Sequence, residues 1–464
     1  MYKKDTDIRE FFTIKEKENE KQINNIKHIA SFSDKQQYVF EKYKNGDNIF
    51  ITGSGGCGKS YLIHKIYKDA IENRKNIHIT AMTGCAAILL DCNATTINTW
   101  GSLGICEDDF EKIIKKIRMY KKKDNWLNTD ILVIDEISMM NQYMFEMIDK
   151  IAKTLRKNKQ PFGGIQVIFS GDFYQLPPVF NKFTEIKEKK CFCFESPLWK
   201  DIFKESVLLT YNFRQDNDKI YMKILEEIRN DNLSIDNIEK LIECTKKDKE
   251  TNIPTLLFPK KNMVDDYNLK QFNKLENKSI KIYKPSLYKK KDNNYEILNK
   301  ETKANNTLKT KFMKNNLIEE EIKLCVGCKV MVTANIDFDK KIVNGSQGII
   351  VDFVDNYPLI EFKDKESTFT HVIEPYSWKS QDENYKIEHI PLILSWAITI
   401  HKSQGITLDS VRVNLGSSVF EYGQSYVALS RVKTLDGLYL ESINFKKIKT
   451  NPKVIKFYKQ FQKS

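Results

Sequence analysis

Apolar residues in this chain fall into short, bounded runs rather than long stripes. Ile49-Phe50-Ile51, Ile77-His78-Ile79, Ile131-Leu132-Val133-Ile134, Val167-Ile168-Phe169 and Val207-Leu208-Leu209 are each flanked by polar or glycine positions. Runs of this length and composition predict strands buried on both faces. Tyr61 to Ile71 carries helical spacing between the first two runs. Strands alternating with helices predict a doubly wound parallel sheet, an α/β lobe. Ser33, with Gln36 three positions later, predicts a capped helix start ahead of the first strand. Gly101 to Asn125, with Lys115, Lys116, Lys121, Lys122 and Lys123, reads as an insertion off the sheet edge with a solvated, charged face.

The second half repeats the theme with an interruption. Thr255-Leu256-Leu257-Phe258 begins a second α/β lobe. From about 271 to 322 the chain is Lys/Asn-rich and weakly periodic, which predicts a solvated insertion, mobile over 286–315. Strand-like pieces at 329–333, 347–353 and 358–362, with turns at Asn344-Gly345 and Asp355-Asn356, predict a small inserted β-barrel. The second lobe resumes near Ile387, where Leu392 to Ala397 reads as a buried strand or helix start. Val411 to Leu415 is a further strand, and Gln424, Ala428 and Arg431 share one face of a helix. The expected division is a charged tail at 1–30, a first lobe at 31–206, a second lobe at 207–270 and 386–464, and the insertion at 271–385.

Composition narrows the partners. The 464 residues carry a net charge of +13 and are 41% hydrophobic, enough for several cores. The positive balance favours a polyanion, nucleic acid before membrane, although a Lys/Asn-rich composition would give the same charge without one. Nine cysteines include the pairs Cys191/Cys193 and Cys325/Cys328, neither with histidines at finger spacing, so free thiols in a reducing compartment are expected. No signal peptide or apolar run of transmembrane length is apparent. A soluble, intracellular protein is the expectation.

The chemistry is written at strand ends. Gly53-Ser54-Gly55-Gly56-Cys57-Gly58-Lys59-Ser60 fits G-x-x-x-x-G-K-[ST] and stands between a strand and a helix. Such a loop turns backbone N–H groups and a helix N-terminus onto phosphates. Lys59 would reach the β- and γ-phosphates and Ser60 would ligate Mg²⁺, making ATP and Mg²⁺ the expected cofactors. Asp135 and Glu136 emerge from the buried run at 131–134, the first suited to hold the metal and the second to polarise a water. Gln175 follows the run at 167–169 and could sense the γ-phosphate. Gln36 fits two roles, helix capping or contact with adenine. Arg214 fits a buried ion pair or a phosphate contact, and His401 fits a core histidine or a ligand contact.

Taken in order, Gly-Lys-Ser, Thr83-Gly84-Cys85-Ala86-Ala87, Asp135-Glu136-Ile137-Ser138-Met139, Gly171-Asp172-Phe173-Tyr174-Gln175-Leu176-Pro177-Pro178, Arg214-Gln215, Thr399-Ile400-His401-Lys402-Ser403-Gln404-Gly405 and Tyr426-Val427-Ala428-Leu429-Ser430-Arg431 resemble superfamily-one helicases. Pro161 to Gln166, and Phe194-Glu195-Ser196 with Trp199, are similar to signatures of the PIF-one family within them. The resemblance runs from about Phe32 to Ser442. It implies two RecA-like domains, an SH3-like barrel as the insertion, and ATP-driven 5′→3′ translocation on single-stranded DNA with unwinding of duplex. Arg431, with Arg214 as the other candidate, would then face the γ-phosphate from across the cleft. Thr83, Gly84, Trp100, Asn344, His401, Lys402 and Gln404 match positions that line the strand in that family. Forked DNA, RNA–DNA hybrids and G-quadruplexes are the further partners implied, for a monomer active in replication, recombination or repair in the nucleus or at a cytoplasmic viral replication site. The competing expectation is an ATPase that remodels nucleoprotein without separating strands.

Overall fold

The computed structural model describes residues 32–462 apart from 91, 104–108, 120–122, 180–185, 187, 189–190, 248–254, 277–278, 292–293, 299–301, 317, 338–339, 341, 364–367 and 380–383. The tail expected at 1–30, and Lys121 and Lys122, lie outside the described residues.

The first lobe opens with α1 (Asp34–Lys44), capped by Ser33 and Gln36 in a reciprocal capping box. Then come β1 (Ile49–Gly53), α2 (Lys59–Glu72), β2 (Ile77–Ala81), α3 (Gly84–Leu90), β3 (Thr95–Thr96), α4 (Ile97–Gly101), α5 (Phe110–Met119) and α6 (Lys123–Asn128). The lobe continues with β4 (Ile131–Asp135), α7 (Gln142–Arg156), β5 (Gln166–Gly171), α8 (Leu198–Ile202) and β6 (Glu205–Leu209). These six strands form one parallel sheet in the order β3-β2-β4-β5-β1-β6. β5 lies between β1 and β4, pairing Thr52 with Gly171 on one side and Val133 with Ile168 on the other. The carboxyl ends of β1, β5 and β4 are therefore neighbours, at the sheet edge where open α/β folds bind ligands.

Two expectations change here. Within the segment expected as an insertion, α5 is part of the lobe rather than an appendage, because its Ile113, Ile114 and Ile117 are buried in the core. The amphipathic helix keeps its charged residues on the other side. A boundary at 206 would cut β6, which pairs with β1 from Ile49↔Glu205 to Gly53↔Leu209; the lobe ends after Leu209.

The second lobe begins with α9 (Lys219–Arg229), α10 (Ile235–Lys246), β7 (Leu256–Phe258) and α11 (Lys261–Lys274). The insertion carries β8 (Lys281–Tyr283), β9 (Ser286–Lys291), β10 (Asn294–Ile297), α12 (Lys303–Asn316), β11 (Ile322–Leu324), β12 (Lys329–Val332), β13 (Gln347–Val354), β14 (Tyr357–Lys363), β15 (Thr368–Val372), β16 (Tyr376–Lys379) and β17 (Tyr385–His389). The run over 286–315, expected to be loop, is largely two paired strands and a helix. In β9 only Leu287 is buried, and Lys289 and Lys291 are exposed. The expected barrel appears as a five-stranded antiparallel sheet ordered β15-β14-β13-β12-β18, where β18 is Leu392–Leu394. Its edge strands do not pair with each other among the described residues, and β18 extends the unit beyond 385.

β19 (Ala397–Thr399), β20 (Val411–Leu415), α13 (Gln424–Leu429), β21 (Leu438–Ile443) and α14 (Pro452–Tyr458) complete the chain. The second parallel sheet runs β19-β7-β20-β21. Leu392 to Ala397 thus divides between an insertion strand and the start of β19. After β21 the chain returns to the first lobe, where Phe457 of α14 stacks on Phe194 at 4.3 Å. Among the described residues no helix is long and apolar enough to cross a membrane.

Candidate active site and nucleic-acid interface

Beyond β1 the chain turns through Gly53 to Gly58 into α2. Gly56 holds a φ of 89°, a region that favours glycine. A Cβ there would also lie 2.4 Å from Cβ of Arg214, so the close approach of the second lobe's connection excludes any side chain. Lys59 Nζ donates to the carbonyls of Gly53 and Ser54 at 2.7 and 2.9 Å. Ser60 is exposed in the first turn of α2. Gln36 is buried with both ends engaged: Oε1 accepts from Ser33 N–H at 3.0 Å and Nε2 donates to Gly58 O at 3.4 Å. It caps α1 and braces the phosphate loop together.

β4 delivers the two carboxylates. Asp135 is buried at the strand end, and Glu136 turns out of the strand with a φ of 54°. Burial pushes both carboxyls above their ordinary range. For Glu136 the rise reaches about 7, with the neighbouring Asp135 charge adding to it and Lys59 opposing it. A rise of this kind comes from desolvation and a like charge. Ser60 and Asp135 offer a hydroxyl and a carboxylate, hard oxygen donors that suit Mg²⁺, which keeps waters and shares its shell with phosphates. Among the described residues no group of three His, Cys, Asp or Glu gathers elsewhere to compete for a metal.

The second lobe closes the other side. Arg431 is 1% exposed, its Nε donating to Val427 O at 2.7 Å and its Nη2 to Ser430 Oγ at 2.7 Å. Burial and the adjacent Arg214 lower it to about 9, so it stays charged at neutral pH. Arg214 donates to Ser430 O at 3.0 Å. A Cβ on Gly55 would lie 3.1 Å from Arg214 Nη1 and 3.5 Å from Arg431 Nη2; both guanidinium groups face the phosphate loop. Gln175 is buried, and Gln404 Nε2 donates to Glu136 Oε2 at 2.9 Å and to Gln175 Oε1 at 3.3 Å. Gly423, with a φ of 72°, seats the start of α13 on the turn at 174–175; a Cβ there would meet Gln175 O at 2.4 Å.

The residues expected along a nucleic-acid strand divide. Thr83 Oγ1 accepts from Ala86 N–H at 3.2 Å and caps α3, which starts at Gly84. Leu89 of α3 packs against Gly405, so α3 and the loop at 400–405 meet across the lobes. The turn at Asn344 and Gly345 packs on Ile406 and brings the insertion to the same place. His401 is exposed rather than in the core, and its ring lies parallel to that of Phe420 at 6.2 Å. Lys402 Nζ stands 3.9 Å from Glu319. A groove of about 870 Å³ opens beside them, with Val264, Leu269 and Phe272 among its walls and Lys260, Lys261 and Lys402 along it.

Two expectations are corrected. Trp100 is 1% exposed and packs on Trp126 at 4.6 Å, because α4 turns its apolar face into the lobe; its ring is core. Gln404 spends its amide on Glu136 and Gln175, which places it beside the carboxylates of the cleft.

Sequence reasoning passed over Arg229, Phe420 and Gly423, and gave Asn212 and Asp172 no role of their own. Asn212 Oδ1 accepts from the N–H groups of Arg214 and Gln215 at 2.9 and 3.2 Å. This is an Asx turn, legible in principle from Asn two positions before Arg, and it aims the guanidinium. The Asp172–Arg229 pair joins residues 57 apart in sequence and leaves no local signal.

A family model described as PIF1-like helicase matches residues 31–248. The "ATP-dependent DNA helicase PIF1" of Xenopus laevis is 33% identical over 93% of this chain, which spans 64% of that protein's length. The "ATP-dependent DNA helicase Pif1" of Bdellovibrio bacteriovorus is 31% identical, with 94% of this chain and 93% of that protein aligned. In three dimensions the chain is similar to a crystal structure of Pif1 helicase from Candida albicans, with a TM-score of 0.78, 33% identity, and 93% and 99% of the two chains covered. On these alignments, and on a phosphate loop faced by Arg431 of a second parallel-sheet lobe and Arg214 of the connection into it, the chain belongs to the PIF1-like helicase family.

Proposed function

We propose that this chain is an ATP-dependent DNA helicase that couples Mg-ATP hydrolysis to 5′→3′ movement along single-stranded DNA. The observation that carries the reading is the convergence on Gly55 of Arg431 from the second lobe and Arg214 from the connection that leads into it. An active site split between lobes hydrolyses fastest when the lobes close, so hydrolysis and domain motion become one event. The two relatives named as ATP-dependent DNA helicases support the substrate pair.

The residues divide the work. Lys59 exchanges its loop carbonyls for the β- and γ-phosphates, and the loop N–H groups and the start of α2 take the remaining charge. Ser60 and Asp135 would hold Mg²⁺, which would screen the phosphate charge. Glu136 takes the proton of the attacking water; a value near 7 suits a base at neutral pH. Gln404 steadies the Glu136 carboxylate, and Gln175 orients the water from the opposite side. Arg431 and Arg214 stabilise charge that develops as the γ-phosphoryl leaves.

On the opposite face, α3 with Thr83 and Gly84, the turn at Asn344, and His401 with Lys402 form the track. Phe420 and His401 offer a stacking platform for bases, with lysines for the backbone, the combination that single strands select. Forked DNA fits this arrangement, with RNA–DNA hybrids and G-quadruplexes as further obstacles. The working unit is a monomer in replication, recombination or repair, placed in the nucleus or at a cytoplasmic viral replication site.

The test compares DNA-stimulated ATP hydrolysis by wild type and Lys59→Ala, then unwinding of duplexes with a 5′ or a 3′ overhang. Hydrolysis lost with Lys59 and unwinding from the 5′ tail are expected. Equal rates for the two proteins would sink the enzyme, and preference for the 3′ tail would sink the direction. DNA-stimulated hydrolysis without unwinding from either tail would instead indicate nucleoprotein remodelling.

A further inference from the structure

The phosphate loop and the Gln175 turn leave adjacent strands, and something must set the distance between them. β1 and β5 stay paired through Thr52 and Gly171; beyond that point the two chains part. Tyr458 of α14 sits in the fork. Its hydroxyl accepts from the N–H of Phe173 at 3.2 Å and is hydrogen-bonded to Thr52 Oγ1. Its ring stacks on Tyr174 at 4.6 Å and 19°. Thr52 is wholly buried and Tyr458 nearly so, so water cannot replace either contact.

The same turn is gripped from the other side. Arg229 Nη2 donates to Asp172 Oδ1 at 3.1 Å, and its guanidinium lies 4.5 Å from the centre of the Tyr174 ring. Arg229 ends α9 and belongs to the second lobe, where Tyr221 of α9 donates to Leu429 O at 2.6 Å. Tyr458 also comes from second-lobe chain, since α14 follows β21. Gly423 N–H donates to Lys449 O at 3.3 Å, which ties the root of that arm to the start of α13. The root of the arm is thus joined to α13, which ends two residues before Arg431, while its tip packs on the first lobe.

We infer that Tyr458 is a positioning residue for ATP hydrolysis: the C-terminal arm of the second lobe fixes the spacing between the phosphate loop and the turn that carries Gln175. The inference rests on the ATPase reading above and adds to it a second route by which lobe movement reaches the site. Arg431 brings charge to the γ-phosphate; Tyr458 sets where the water-orienting group stands. Buried hydrogen bonds that join two elements hold their relative position better than apolar contact alone.

The experiment measures single-strand-stimulated ATP hydrolysis by the full chain, as wild type, Tyr458→Phe, Thr52→Val, the double variant and Lys59→Ala. Tyr458→Phe keeps the ring and its stacking and removes only the bridge. A group that acts in the transition state changes kcat and leaves KM, so kcat should fall about five- to tenfold with KM for ATP within about twofold. The thermal unfolding midpoint should stay within about 4 °C of wild type. Thr52→Val breaks the same bridge from the other end and should lower kcat similarly, with the double variant no slower than Tyr458→Phe alone. If Tyr458→Phe does not fold, Thr52→Val decides by itself. Wild-type kcat in the variants, or a loss of kcat that follows the unfolding midpoint, would overturn the positioning role while leaving the ATPase reading intact. A wild type no faster than Lys59→Ala would overturn both.

Discussion

The cleft between the lobes has two sides built by opposite means. On the nucleotide side the polar groups of Gln36, Glu136, Gln175, Gln404, Arg214 and Arg431 already hold protein partners, and glycines at 56 and 423 admit no side chain. On the strand side His401 and Phe420 are exposed, and Lys402 has a distant, solvent-facing partner. The first arrangement suits chemistry that needs atoms fixed before the reaction. The second suits a substrate that must be gripped, released and gripped again, with no base favoured over another. On the proposed function, the fixed side serves a ligand that is always the same and the adaptable side one that keeps moving.

The sharpest break of that contrast is at Arg431. Arg431→Ala should lower kcat for ATP hydrolysis by about 10³-fold or more, the range for an arginine acting on a transferring phosphoryl group. Single-strand affinity, measured without nucleotide, should stay close to wild type. Loss of both together would mean that the two sides are not separable.

Glu136 should come next, with about 10²–10⁴-fold lost from kcat in Glu136→Gln. Its raised value near 7 also fixes the direction of the wild-type pH profile. A base acts when deprotonated, so kcat/KM should rise by about tenfold between pH 6 and pH 8. Glu136→Gln should flatten that rise. A wild-type profile falling over this interval would contradict the assignment.

Gly423→Ala attacks the fit between the sides. Forcing a side chain into a φ of 72° against Gln175 O should destabilise the closed lobes by about 1–3 kcal/mol. The check is a lower unfolding midpoint together with a lower kcat.

These differences track what could be read in the sequence. The phosphate loop, the strands at 49, 77, 131, 167 and 207 and the paired acids were legible because each role is local: a turn needing glycine, a strand needing apolar runs, a metal needing oxygen at a strand end. Arg431 was expected on the helix face of Gln424 and Ala428, but α13 ends at Leu429 and the arginine stands in the turn beyond it. Legibility failed where geometry joins distant chain. Trp100 was expected along the strand from its matching family position, and only the packing of α4 on α6 shows its partner to be Trp126. Gln404 sits among strand-contacting residues in sequence, yet its side chain crosses to Glu136. The Lys/Asn-rich run at 286–315 lost its strand signal because long polar side chains cover an antiparallel face that buries mainly Leu287. The small barrel expected from the strands at 329–362 appears among the described residues as a five-stranded sheet completed by β18, a strand whose pairing no local pattern announces.

On the adaptable side the effects should be smaller and of two kinds. Phe420→Ala removes one face of a base-stacking platform, worth about 1–3 kcal/mol per base, and should weaken single-strand binding by roughly tenfold at any salt concentration. Lys402→Ala removes only a charge, and its role is read from salt dependence rather than affinity. Its pair with Glu319, at 3.9 Å and open to solvent, contributes little to stability, so the fold should tolerate the change and the ammonium is available to a phosphate. Each phosphate neutralised on a single strand contributes about 0.7 to the slope of log K against log salt. Titrations of oligothymidine across several salt concentrations should therefore give a slope shallower by about 0.7 in Lys402→Ala, and an unchanged slope in Phe420→Ala. If both variants left the slope unchanged, Lys402 would stand off the track, and the aromatic pair alone would mark where the strand passes.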